Sequence, residues 1–309
     1  MKGVSVSSIA RLVLLVIYVV IQIPCILVPL FFGKTFFPAG HRVNKYLRSA
    51  LAPLSTGVYL LFFSIQLAVQ INPKISRERP GVARMLLMTH SSTLDFMVVT
   101  TGAYLVHHAL GGIACIVKRE LLSMPFIGWL QRAAGSIPVA RSGDLEAAKK
   151  NLAIAEDRLK EGYLVAGFPE GSRRRSPSCG REQLLPFKKG MFHIAKNVGY
   201  VEFVPLIMVG GNTAWPADWL LPVPGSKVTV RIGQTISTKP EESVDDLTTR
   251  VRTCMQEDVE AAVGAPEYSV DAAFENGTHI NLWRTYGFEA VLMAVPMLSV
   301  VFMFCSGML

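Results

Sequence analysis

Short apolar runs at 83–88, 113–117, 164–168, 202–209 and 227–232 read as strands, and between most of them apolar residues return at helical spacing. The clearest helical stretch follows Ser142, where Leu145, Ala148, Leu152, Ala155 and Leu159 recur every three or four positions beneath a charged outer face. Strands alternating with helices predict an α/β fold, a mainly parallel sheet flanked by helices. No repeat or low-complexity tract breaks the pattern, so one domain over 74–285 accounts for it.

Three charge-free runs flank that domain, at 12–32, 50–71 and 290–309, with 21, 22 and 20 residues. Each is long enough for a helix to cross a bilayer, which takes about 20 apolar residues. The first two predict an N-terminal two-helix membrane hairpin over 1–73, with Pro24, Pro29 and Pro53 working against straight spans. The third predicts a C-terminal transmembrane helix over 286–309, kinked at Pro296. The first run exceeds the apolar stretch of a cleaved leader and no obvious small-residue cleavage site follows it, so it reads as a retained anchor. The link at 33–49 carries four basic residues and no acid. Were both runs to span, that link would lie across the bilayer from the domain and oppose the positive-inside rule. A hairpin entering one leaflet therefore stands as an equal reading.

Composition supports the division. Outside the three runs, the remaining residues hold every charge at about 22%, close to the share in a soluble domain. Disorder, a collagen, a small disulfide scaffold and a many-helix transporter are excluded. The net charge of +8 is confined to residues 1–79, where Lys2, Arg11, Lys34, Arg42, Lys45, Arg48, Lys74, Arg77 and Arg79 face only Glu78. Residues 80–309 balance at 22 basic and 22 acidic side chains. The excess sits where it would meet an anionic membrane surface, at about 1 kcal/mol per basic residue, and it argues against a nucleic-acid partner. Cys25, Cys115, Cys179, Cys254 and Cys305 lie far apart and form no metal-binding spacing, so they read as free thiols facing a reducing compartment. The sequon at Asn276, Gly277 and Thr278 would be silent on a cytosolic face.

Chemistry concentrates where the strand at 83–88 ends and His90, Ser91, Ser92, Thr93, Leu94 and Asp95 open a helix. On one continuous helix a spacing of five sets two side chains about 140° apart. His90 and Asp95 therefore meet only if His90 precedes the helix and Asp95 lies in its first turn. Two readings follow. In one, Ser92 is the N-cap, Asp95 sits favourably at the third helical position and His90 is incidental. In the other, Asp95 holds the imidazole in one tautomer and supports its protonated form, while the second ring nitrogen removes a proton from an alcohol. No GxSxG elbow is present, so a dyad without a protein nucleophile fits direct attack by a bound substrate hydroxyl.

A second cluster follows the strand at 164–168. Gly171 allows a turn whose amides can approach an anion, and Arg173, Arg174 and Arg175 come next. Arginine offers a planar fork that matches phosphate, and Arg173 is the favoured contact, with Arg174, Arg175 and Arg181 equally readable as a solvated basic loop. Glu170 beside a phosphate needs a role that outweighs repulsion, such as orienting an arginine or accepting from a hydroxyl. Lys118 and Arg119 end the strand at 113–117, where open α/β sheets place ligand-binding groups. His107, His108 and His193 have no metal-like partners, and Phe126, Trp129, Met191 and Phe192 read as core or membrane-facing residues.

With these blocks in order, the chain resembles the glycerophospholipid acyltransferase family, which includes 1-acylglycerol-3-phosphate acyltransferases. His90 to Asp95 match its HX4D box; Lys118, Glu120, Leu121, Pro125 and Gly128 match the second block, continued over 135–141. Phe168, Pro169, Glu170, Gly171, Ser172 and Arg173 match the third block, and Val204 with Pro205 the fourth. Ser172 stands where threonine is frequent, and Ala140 precedes Arg141 where an acid is common. The resemblance implies His90 as base, Asp95 as its partner, and Glu170, Gly171, Ser172 and Arg173 holding the acceptor's phosphate with Lys118 and Arg141. It also implies acyl-CoA as co-substrate, or acyl carrier protein in its place, with no metal or resident cofactor. An integral membrane protein with its catalytic domain on the cytosolic face follows, in the endoplasmic reticulum of a eukaryote or the inner membrane of a bacterium. The competing readings are another acceptor, such as glycerol 3-phosphate or a different lysophospholipid; a silent lipid-binding protein on the same fold; and a membrane serine hydrolase.

Overall fold

The sheet expected from the apolar runs is present and extends further toward the N-terminus than they indicate. The computed structural model describes residues 10, 13, 64–72, 75, 81–95, 113–124, 128, 131–132, 135–139, 145–173, 183–216, 219, 221–264 and 278–279. In chain order the strands are β1 (Gln66–Ile71), β2 (Ala83–Met88), β3 (Ile113–Lys118), β4 (Ile137–Val139), β5 (Leu164–Gly167), β6 (Val201–Val209), β7 (Lys227–Ile232), β8 (Ile236–Ser237) and β9 (Thr278–His279). The helices are α1 (Arg119–Ser123), α2 (Leu145–Lys160), α3 (Gly190–Val198), α4 (Gly211–Ala214) and α5 (Val244–Gly264).

The strands lie in the order β4, β3, β5, β2, β6, β7, β1, β9, with β8 paired to β6. From β4 to β6 every neighbouring pair is parallel. The direction reverses between β6 and β7, and β1 then runs parallel to β7. Strand β6 is buried at eight consecutive positions, as expected where both faces of a parallel sheet are covered. One face packs against Leu94, Trp215 and Leu221. The other lies beneath Ala155 and Leu159 of α2, Phe192 and Ile194 of α3, and Leu247, Val251, Met255 and Val259 of α5. These α5 residues recur every fourth position, which makes one apolar stripe. Ser243 caps α5, its Oγ accepting the Asp246 N–H at 3.1 Å.

Two features depart from the sequence reading. Gln66–Ile71, part of the apolar run at 50–71, is a sheet strand paired over six residues with β7, and Ala68 and Val69 are buried there. The physical signal was the spacing of Gln66 and Gln70, polar positions that a strand accommodates more easily than a lipid-facing helix. The sheet thus begins before the expected domain start at 74. Inside it, Arg84 and Glu202 face each other as cross-strand partners and form a buried ion pair at 2.9 Å, each about 1% exposed. Among the described residues no helix is long and apolar enough to cross a membrane. The final apolar run, and all of the first but residue 13, lie outside the described residues.

Candidate active site

Parallel strands bring their C-terminal ends to one edge of the sheet, and three of the sequence blocks, the second through both of its parts, meet there. Strand β2 leads into His90, β5 into Phe168 to Arg173, β3 ends on Lys118, and β4 ends on Val139. Adjacent strands lie about 4.8 Å apart, so β3, two places from β2, is about 10 Å away.

The turn after β2 combines both sequence readings. His90 Nδ1 lies 2.9 Å from Asp95 Oδ2, and the same oxygen accepts the N–H groups of Ser91 at 2.5 Å and Ser92 at 2.9 Å. Ser92 Oγ accepts the Leu94 N–H at 3.2 Å, so Ser92 and Asp95 cap reciprocally while Asp95 also holds the histidine. Ser92 Oγ lies 2.9 Å from the carbonyls of Gly211 and Trp215, which anchors the turn to α4 and its end. A Cβ on Gly211 would come 3.1 Å from Ser92 Cβ, so glycine permits this close approach. Asp95 is fully buried, and burial pushes its carboxyl above 3.8 while the bonds from His90, Ser92 and Ser91 oppose the rise. Asp95 Oδ1 has no hydrogen-bond partner among the described residues.

With Asp95 ionised, Nδ1–H donates to the carboxylate and Nε2 is left for a substrate proton. The ring retains 19% exposure, so part of it is open to contact. Phe168 stacks on it with centroids 4.1 Å apart and planes 21° from parallel. The sequence placed Phe168 only as a block residue; the stacking contact depends on the adjacency of β2 and β5, which spacing along the chain does not carry.

Glu170 sits behind the histidine, 2% exposed. Its Oε1 accepts the His90 N–H and its Oε2 the Leu185 N–H, each at 3.0 Å. The carboxylate therefore ties the turn after β5 to the turn after β2 and to the extended strap 183–188. Gly171 has φ +71°, the left-handed region, and a Cβ there would come 3.2 Å from Lys188 Cγ. Lys188 donates its N–H to Pro169 O at 2.7 Å, so the lysine stem lies alongside the turn.

Arg173 Nη1 donates to Thr93 Oγ1 at 2.9 Å, bringing the guanidinium to the His90–Asp95 turn on an exposed surface. Ser172 is exposed beside it. Lys118 is exposed at the same sheet edge. Arg141 lies outside the described residues. The structure therefore brings His90, Asp95, Glu170 and Arg173 together through hydrogen bonds, and Gly171 and Lys118 share their edge. Nothing along the chain marks the strap as a partner of Glu170, because Leu185 is fifteen residues further along an irregular segment.

At its C-terminal edge the mainly parallel sheet thus carries a histidine–carboxylate pair and an arginine. Residues 66–209 match the family model described as Acyltransferase. The 1-acyl-sn-glycerol-3-phosphate acyltransferase of Cocos nucifera is 30% identical over 152 residues, 49% of this chain and 45% of that protein. The protein of the same name from Pseudomonas aeruginosa is 28% identical over 165 residues, 50% of this chain and 60% of that one. The lyso-ornithine lipid O-acyltransferase of Rhodobacter capsulatus is 40% identical over 77 residues, 25% of each chain. The crystal structure of the 1-acyl-sn-glycerophosphate acyltransferase PlsC from Thermotoga maritima superposes with a TM-score of 0.61 at 23% identity, covering 84% of this chain and 98% of that one, and shows the shared fold. Over residues 66–209, a little under half of its length, the chain is therefore similar to that acyltransferase family. It spans from a quarter to 60% of the length of these curated relatives.

Proposed function

We propose that the protein is an O-acyltransferase that moves an acyl chain from acyl-CoA to the free hydroxyl of 1-acylglycerol 3-phosphate, giving phosphatidic acid. The observation that supports this reading most directly is the His90 Nδ1 to Asp95 Oδ2 contact of 2.9 Å with Arg173 tied to Thr93 on the same turn. Arg173, with Lys118, Gly171, Ser172 and Arg141, holds the phosphate, leaving the acceptor hydroxyl near His90. The hydroxyl proton passes to Nε2 as the oxygen attacks the thioester carbon. The new C–O bond forms, the tetrahedral oxyanion collapses, the C–S bond breaks, and the thiolate takes the proton from the imidazolium. Holding both substrates in place supplies much of the rate, with no covalent intermediate in the scheme. The apolar runs and the basic N-terminal segment support an integral membrane protein that works at an anionic surface, with the catalytic domain on the cytosolic face.

A second acceptor class is favoured by one observation, the 40% identity over 77 residues with a lyso-ornithine lipid O-acyltransferase. In that case the acceptor is a lyso-ornithine lipid in place of 1-acylglycerol 3-phosphate. Labelled acyl-CoA offered with 1-acylglycerol 3-phosphate, glycerol 3-phosphate, other lysophospholipids and a lyso-ornithine lipid separates the two. His90→Ala should abolish transfer while leaving the chain folded and membrane-bound; full retained activity rejects His90 as base.

A further inference from the structure

The strap 183–188 has no regular secondary structure, yet one of its amides occupies half of the carboxylate that holds His90. Its position is set from the opposite side by α5. Arg252 spans two successive carbonyls, Nη2 donating to Leu184 O at 2.6 Å and Nε to Leu185 O at 3.2 Å. One turn further along α5, Gln256 Oε1 accepts the Leu184 N–H at 2.8 Å. Leu184 and Phe187 bury their side chains in the same cluster as Met255 and Val251, so the polar clamp and apolar packing hold one short segment.

An unbroken path therefore leads from α5 through the strap backbone to Glu170, and from Glu170 Oε1 to the His90 N–H. All the described contacts along it are hydrogen bonds of 2.6 to 3.2 Å. Asp95 and Phe168 orient the ring of His90. Its backbone, and hence the distance of Nε2 from the acceptor hydroxyl, depends on Glu170. Both α5 residues lie beyond the stretch 66–209 that carries the family match.

We infer that Arg252 and Gln256 are positioning residues for His90, acting through the Leu184–Leu185 strap and the carboxylate of Glu170. The inference rests on the acyltransferase reading for its kinetic consequence, and on the hydrogen bonds alone for its structural one. Arg252 touches no reacting atom. Its loss leaves the groups that bind either substrate in place and lets the base drift, so kcat falls and KM does not follow.

The test uses the full chain in lipid vesicles, with Arg252→Ala, Arg252→Lys and Gln256→Met. A control, Glu242→Gln, weakens the Glu242–Arg250 ion pair near the start of the same helix without touching the strap. Arg252→Ala should lower kcat about tenfold with both KM values within about twofold, Arg252→Lys should restore part of the loss, and the control should keep wild-type kcat. Unchanged kcat in Arg252→Ala, or a fall no greater than in the control, overturns the inference. If Arg252→Ala does not fold, Gln256→Met, which removes the acceptor for Leu184 together with the exposed contact to Glu260, must show the same split. If the wild-type chain transfers no acyl group, the functional reading fails separately. The positioning claim is then read from the imidazole resonances of His90 and the exchange rate of its amide, which must change in Arg252→Ala and stay as in wild type in the control.

Discussion

Replacing Glu170 with glutamine keeps the shape of the side chain and removes one acceptor. The two carboxylate oxygens serve different strands of backbone, Oε1 taking the His90 N–H and Oε2 the Leu185 N–H. However the amide is turned, one of those N–H groups meets an NH2. A hydrogen bond to a charged acceptor contributes about 1.5–3 kcal/mol and a buried donor left unsatisfied costs about 1–3 kcal/mol. At 2% exposure little water relieves that cost, so Glu170→Gln should lose roughly 3–5 kcal/mol of stability. Urea unfolding followed by tryptophan fluorescence measures it as a shift in midpoint at unchanged slope. Acyl transfer by the folded fraction should fall as well, because either orientation breaks the link from the strap to His90, at the Leu185 N–H or at the His90 N–H. A Glu170→Gln protein within about 0.5 kcal/mol of wild type, with normal turnover, would refute the reasoning.

Arg84→Met should destabilise by about 3–5 kcal/mol by leaving Glu202 buried beside an apolar neighbour, whereas the double variant Arg84→Met with Glu202→Leu should recover most of that loss; denaturant midpoints for the cycle check both signs. Gly211→Ala should reduce acyl transfer by more than its stability loss accounts for. The tip of Met208 can swing away from the new methyl, but Ser92 Cβ, 3.1 Å from it, belongs to the turn that carries His90. Burial raises the Asp95 carboxyl above 3.8, so the folded chain binds that proton more tightly than the unfolded one. This group's contribution to stability falls as pH rises from below 3.8 through the raised value, and Asp95→Asn should remove that slope from a series of unfolding curves.

The parallel core was legible because β2, β3, β5 and β6 are short apolar runs separated by helical spacing, a pattern that tertiary context did not override. The His90–Asp95 pair was legible for a related reason: a strand-to-helix turn is local, and five residues suffice to define it. Strand β1 was hidden because six residues of a sheet interior, Gln66 to Ile71, have the same low charge as a membrane run, and only the two glutamines distinguish them. The role of Glu170 was open in the sequence because its partners, a backbone amide 80 positions away and another in an irregular strap, are fixed by packing. Arg84 and Glu202 were invisible as a pair for the same reason, since their register emerges only when β2 and β6 align.

The place of β1 in the sheet bears on how the chain can be cut. Its described neighbours are β7 and β9, which begin at Lys227 and Thr278, both past the end of the family-matched stretch at 209. A fragment ending there would leave Gln66–Ile71 without a strand to pair with and expose the flank of β6. The matched stretch is accordingly a region of likeness and not an autonomous folding unit, and a ribosome-bound chain must extend past Ile232 before the earliest of the described strands can take its place.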